Sequence, residues 1–144
     1  YHIILKCMSQ PYSLIVVDDD PFIIQMLGFQ LKKLVQIPDI SFEYYTNPEE
    51  AYSGLLNMLN NNINPVMLIT DYQMPEMTGA ELIRKSKALH PEISCILLTG
   101  YANAIQVDDL VNDEMLDGFI SKPWSEEDLT STILPILENK NLFI

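Results

Sequence analysis

Short apolar runs alternate along this chain with segments of helical periodicity, and that alternation restricts the fold more than any other feature of the sequence. Ser13 to Val17, Ile40 to Tyr45, Val66 to Thr70, Ile93 to Leu98 and Gly118 to Ser121 are too short for stable helices, and the first, third and fourth are almost continuously apolar. Such runs suit strands buried on both faces of a parallel sheet. Between them, Asp20-Pro21 supplies an N-cap and a first-turn proline, and Ile23, Leu27, Leu31 and Leu34 predict a helix from Pro21 to about Val35. Gln36 to Asp39 forms the turn. Asn47-Pro48-Glu49-Glu50 opens a second helix, with Glu50 placed to complete a capping box and Ala51, Leu55, Leu56 and Leu59 as its apolar stripe. The tract Asn60 to Pro65 ends that helix and reads as a solvated loop. A third helix is expected from Gly79 to His90, stopped by Pro91, and a fourth from Ala104 to Asn112. The last follows Ser125 and carries Leu129, Ile133, Ile136 and Leu137, with Pro135 predicting a kink or an interruption. Five βα units with right-handed crossovers place helices on both faces of a doubly wound, three-layer α/β fold.

The chain's 144 residues suit one domain that buries about two thirds of its unfolded surface. Residues 1–11 form an N-terminal arm or the remnant of an upstream segment, since residue 1 is tyrosine, and residues 12–144 form the domain. Apolar residues make up 48% and charged residues 19%, a globular rather than a disordered composition. No apolar stretch approaches the roughly 18 residues of a membrane span, and the first residues lack a signal peptide's pattern, so a soluble intracellular (cytoplasmic) domain is expected. Twenty acidic residues against eight basic ones give a net charge of −12, which excludes nucleic-acid binding through a basic surface. Cys95 lies within an apolar run and reads as a small buried hydrophobe rather than a disulfide partner of Cys7. His2 in the arm and His90 at a helix end suggest no catalytic role.

The carboxyl ends of parallel strands share one edge, where open α/β sheets hold their ligands. That edge gathers Asp18, Asp19, Asp20, Asp71, Thr99 and Lys122. Clustered carboxylates repel unless a cation joins them, and a hard, oxygen-seeking ion such as Mg²⁺ fits. Asp71 stands alone at a strand end before the mobile-looking loop Tyr72 to Met77, and attack by its carboxylate on phosphorus would give a phosphoaspartate. A turn or cap is the alternative role for such an aspartate. Within the triplet, Asp19 is expected as a direct metal ligand, Asp18 as a ligand either directly or through water, and Asp20 as the helix cap. Thr99 and Lys122 are placed to contact phosphoryl oxygens. Met67, Met74 and Met77 read as packing residues.

Four motifs in order carry a family resemblance: V-V-D-D-D at 16–20, D-Y-Q-M-P-E-M-T-G at 71–79, L-L-T-G-Y-A at 97–102 and F-I-S-K-P-W at 119–124. From Tyr12 to about Glu138 the chain resembles the receiver domain of bacterial two-component response regulators. The resemblance implies a flavodoxin-like sheet with strand order 2-1-3-4-5. It further implies that Asp71 accepts phosphate from the phosphohistidine of a histidine kinase or a histidine phosphotransfer protein. Asp19 and Asp71 would bind Mg²⁺ with the backbone carbonyl of Gln73, and Asp18 would assist, commonly through water. Thr99 would be the switch hydroxyl, Lys122 would bind a phosphoryl oxygen, and Phe119 matches an aromatic that repacks when Thr99 moves, a fixed core aromatic being the alternative. Gln73 matches a position that in the family tunes dephosphorylation, and Gly100 stands where many relatives carry alanine, which would leave the site open, a glycine turn with no kinetic role being the alternative.

In this family the region from Tyr101 to Met115 and strand five often carries dimer or output contacts, and Val107, Leu110 and Val111 offer apolar positions there for a homodimer. The L-T-G-Y-A and K-P-W motifs are similar to those of receivers joined to cyclic-dinucleotide phosphodiesterase or cyclase domains, or found within hybrid kinases. The chemistry implied is self-phosphorylation and autodephosphorylation of a switch that acts on an output domain or partner, rather than metabolic turnover. Two alternatives stand beside it. One is a receiver-like interaction module that is never phosphorylated. The other is a phosphatase of the haloacid-dehalogenase type, which would need a second aspartate where this chain has Gln73.

Overall fold

The computed structural model describes residues 10–100 and 109–142. Its elements run β1 (Tyr12–Val17), α1 (Pro21–Leu34), β2 (Ile40–Tyr45), α2 (Pro48–Asn60), β3 (Asn64–Thr70), α3 (Gly79–Leu89), β4 (Ser94–Thr99), α4 (109–112), β5 (Gly118–Ser121) and α5 (Glu126–Asn139). The strands form one sheet in the order β2-β1-β3-β4-β5, and every pairing is parallel. This is the doubly wound, flavodoxin-like arrangement expected. The expected fourth helix falls partly outside the described residues, as do His2, Cys7, Tyr101 and Val107.

Alternation along the strands separates two cores. Leu14, Val16, Met67, Ile69, Ile96 and Leu98 turn toward α1 and α5, where they meet Leu27, Leu31, Leu129, Ile133 and Leu137. Ile15, Val17, Leu68, Cys95 and Leu97 turn to the opposite face, against Ala51 and Leu55 of α2 and Leu82 and Ile83 of α3. Because both faces are covered, β1 and β4 are buried throughout save the first residue of β1. Burial raises the Cys95 thiol to about 12, which leaves it a packing group at neutral pH.

Local chemistry sets the helix starts. Asp20 accepts from the Phe22 amide at 2.9 Å and Pro21 follows it. Asn47 accepts from the amides of Glu49 and Glu50, at 2.8 and 3.1 Å. The capping box expected of Glu50 does not form at α2, where Asn47 accepts from the Glu50 amide but the Glu50 side chain returns no bond to the Asn47 backbone; the reciprocal box is found at α5, where Ser125 and Asp128 exchange side-chain and backbone bonds. Two further expectations need correction. Asn64 and Pro65 belong to β3 rather than to the preceding loop: Ser13 pairs with Pro65 and Leu14 with Met67, so Val66 is an extra residue, and the bulge lets proline sit where its missing N–H is tolerated. Pro135 does not interrupt α5, which continues through it to Asn139.

Candidate functional site

The carboxyl ends of four strands, β1, β3, β4 and β5, build the acidic edge. The register aligns Val17 of β1 with Thr70 of β3, so Asp18 and Asp71 leave adjacent strands side by side, and the Asp71 amide donates to the Val17 carbonyl at 3.0 Å. Carboxylate oxygens of Asp18, Asp19 and Asp71 lie within 4.8 Å of one another. They are not equivalent: Asp18 is 1% exposed, Asp71 is half-buried and Asp19 is exposed. Asp20, the third member of the triplet, is turned to its capping role.

Lys122 reaches this cluster from the end of β5. Its Nζ donates to Asp18 Oδ2 at 2.7 Å and to Asp71 Oδ2 at 3.2 Å. Burial alone would lower the lysine's pKa, but its hydrogen bond to Asp18 and the charges of Asp18 and Asp71 outweigh burial and raise it. Burial raises the Asp18 carboxyl above its usual value, and the bond from Lys122 offsets that only in part. Three carboxylates against one ammonium leave surplus negative charge on the edge. The donor set, all hard carboxylate oxygen, suits a divalent cation such as Mg²⁺.

Asp71, Gln73, Thr99, Gly100 and Lys122 line one open cavity of about 360 Å³. Gln73 lies exposed at its rim, and Thr99 is buried at the end of β4. A Cβ added at Gly100 would stand 3.6 Å from the Lys122 Cβ, an ordinary contact.

The loop after Asp71 is more firmly held than its composition suggests. Tyr72, Met74 and Met77 are all buried in the core between the sheet and α2 and α3, which bears out the packing role read for the methionines. Met67 is buried on the opposite face. The Tyr72 amide donates to Asp71 Oδ1 at 2.7 Å, fixing one carboxylate oxygen, while the Gly79 amide donates to the Tyr72 carbonyl at 2.7 Å. A Cβ on Gly79 would overlap the Asp71 carbonyl. The role of Gly79 was not drawn from the sequence, although a glycine at the first position of a helix was the available signal.

Phe119, by contrast, is no fixed core aromatic. It pairs in register with Leu97 on edge strand β5, is 37% exposed and lines a shallow groove with Ser121, Asp128, Ser131 and Thr132. In the apolar pattern at 107–111, Leu110 is buried and Val111 is 54% exposed.

The chain matches the Response regulator receiver domain family over residues 14–134. The response regulator protein TodT of Pseudomonas putida is 30% identical over 135 residues, which cover 93% of this chain and 55% of TodT. The C4-dicarboxylate transport transcriptional regulatory protein DctD of Rhizobium meliloti is 27% identical over 135 residues, 94% of this chain and 27% of DctD. Among solved structures, a response regulator receiver domain protein (CheY-like) from Methanospirillum hungatei JF-1 aligns with a TM-score of 0.76 at 25% identity, covering 92% of this chain and 98% of that one. The chain therefore spans about half of TodT and about a quarter of DctD.

Proposed function

The chain belongs to the response regulator receiver domain family, and on that premise we propose that Asp71 is its phosphoacceptor, taking a phosphoryl group from a phosphohistidine. The observation that carries the reading is the Lys122 ammonium shared between Asp18 and Asp71 at the mouth of the cavity that Thr99 also lines. An Asp71 oxygen attacks phosphorus in line, a P–O bond forms, and the P–N bond breaks with its electron pair left on the imidazole of the donor. Lys122 stabilises the charge gathering on the phosphoryl oxygens. Asp18, Asp19 and Asp71, with the backbone carbonyl of Gln73, would hold Mg²⁺, which when bound offsets charge on the non-bridging oxygens.

The product is a dianionic acyl phosphate, and it supplies acceptor oxygens that the free carboxylate lacks. Thr99 and Lys122 then turn toward those oxygens, drawing in the ends of β4 and β5, and Phe119 follows by leaving its exposed position for the space beside β4. That movement is the signal to an output domain or partner protein. The donor is a histidine kinase or a histidine phosphotransfer protein, and the output is a cyclic-dinucleotide enzyme or a kinase, read from the short motifs around Thr99 and Lys122.

Incubation with Mg²⁺ and phosphoramidate, whose P–N bond resembles that of phosphohistidine, tests the assignment by intact mass. One phosphate is gained by the native chain and none by Asp71→Asn. A native chain that gains nothing is an interaction module, and a gain that persists in Asp71→Asn moves the acceptor elsewhere.

A further inference from the structure

Lys122 bridges two carboxylates from a loop that is fixed from two sides. On one side the Lys122 amide donates to the Thr99 carbonyl at 3.2 Å, extending the β4–β5 ladder by one residue. On the other, two residues further along, the indole N–H of Trp124 donates to Gln30 Oε1 at 2.8 Å. Gln30 lies on α1, the helix that begins directly after the aspartate triplet. One hydrogen bond thus ties the loop bearing the cation to the helix that follows the anions.

Above the core contacts of Leu27 and Leu31 with Leu129 and Ile133, the seam between α1 and α5 opens into a surface cavity of about 160 Å³ lined by Gln30, Lys33, Leu34, Glu126, Leu129 and Thr130. The ion pair across it, Lys33 to Glu126 at 3.1 Å, joins side chains 56% and 59% exposed, and water weakens such pairs. The Trp124 bond is partly buried, directional, and made by a residue whose ring also packs against the core beneath α1 and α5.

We infer that Gln30 and Trp124 are positioning residues for phosphoryl transfer, acting through Lys122: their hydrogen bond holds the lysine loop at the height where its ammonium spans Asp18 and Asp71. The inference rests on the phosphoacceptor reading and adds to it a control point about ten residues along α1 from the acid cluster, roughly 15 Å at the helical rise. Releasing the bond lets Lys122 withdraw. Two consequences of opposite sign follow. Phosphorylation slows, because the ammonium no longer meets the phosphoryl oxygens, whereas Mg²⁺ binds more tightly, because a competing cation has left the carboxylates.

The experiment compares the native chain with Gln30→Ala, Gln30→Glu and Trp124→Phe, the last keeping an aromatic ring and removing only the N–H donor. Rates of phosphorylation by phosphoramidate are followed by intact mass, and Mg²⁺ affinity is measured separately by calorimetry. Gln30→Ala and Trp124→Phe are expected to slow phosphorylation about threefold to tenfold and to tighten Mg²⁺ binding about threefold, while Gln30→Glu, which keeps an acceptor oxygen, restores both. In a Lys122→Ala background the Gln30→Ala substitution should change neither quantity, since the group it acts through is gone. Variants that leave both quantities unchanged, or that lose rate and affinity together as general loosening would cause, overturn the positioning role alone. A native chain that takes neither Mg²⁺ nor phosphate overturns the phosphoacceptor reading, and this inference with it.

Discussion

Asp18 shows how neighbours separate residues that look equivalent in sequence. Asp18, Asp19 and Asp20 are chemically identical, yet one is a buried partner of Lys122, one is exposed beside Asp71 and one caps α1. The pattern D-D-D before a proline suggested the cap, and a shared sheet edge suggested the cluster. Sequence could not show which carboxylate loses its water, because that depends on how closely β5 and its lysine approach. The burial of Asp18 has a measurable consequence. Its folded pKa lies above the ordinary 3.8, so the native state binds this proton more readily than the unfolded chain does. The stability it contributes is complete below pH 3.8 and is lost as pH rises through the folded value; at neutral pH the desolvated carboxylate is a net cost that Lys122 only partly offsets. Asp18→Asn, melted in chelator at pH 7, should therefore be more stable than the native chain, less whatever the Lys122 ammonium loses with its partner, and the gain should shrink toward zero as the melts are taken into acid. A lower Tm for Asp18→Asn at pH 7 would show instead that the Lys122 pair outweighs desolvation.

Elements were legible wherever local chemistry punctuates the chain. Asp20-Pro21, Asn47-Pro48 and Ser125 each start a helix where expected, and Gly118–Ser121 is the fifth strand. Legibility failed where tertiary pairing overrules composition. Asn64 and Pro65 look like loop residues, but pairing with β1 across a bulge draws them into β3. The loop after Asp71 looks mobile, but Tyr72, Met74 and Met77 bury their side chains and anchor it. Its return into α3 depends on Gly79, whose φ is not in the left-handed region and whose value is therefore steric: the Asp71 carbonyl occupies the space a side chain would need. Gly79→Ala should cost about 1–3 kcal/mol in urea unfolding and slow phosphorylation, since the backbone that must move aside is that of Asp71 itself. Gly100→Ala provides the contrast from the same cavity. Its Cβ meets Lys122 at ordinary distance, so its unfolding free energy in urea should stay within about 0.5 kcal/mol of native. Equal losses in the two variants would mean that helix and turn propensity, rather than overlap with Asp71, governs both sites.

At the scale of the whole molecule, the alternation of apolar runs implied a two-faced parallel sheet, and the two cores bear this out. The strand order β2-β1-β3-β4-β5 could not come from periodicity, because buried strands of similar composition are interchangeable until crossovers and register are known; motif resemblance supplied it. That order places β1 next to β3 and so concentrates charge. The chain carries a net charge of −12, and three of its carboxylates meet at one edge with a single lysine between two of them. Folding must assemble this edge against its own repulsion, which the unfolded chain avoids by separation. A cation bound only by the folded state stabilises it by RT ln(1 + [L]/Kd), about 2.7 kcal/mol at a hundred times Kd. Screening by monovalent salt acts on the whole acidic surface and needs no particular residue. Mg²⁺ should therefore raise Tm well beyond NaCl at equal ionic strength, and the excess should vanish in Asp19→Asn while the NaCl response persists. Equal shifts from the two salts in the native chain would mean that the three carboxylates act only as part of the general negative charge, with no site among them.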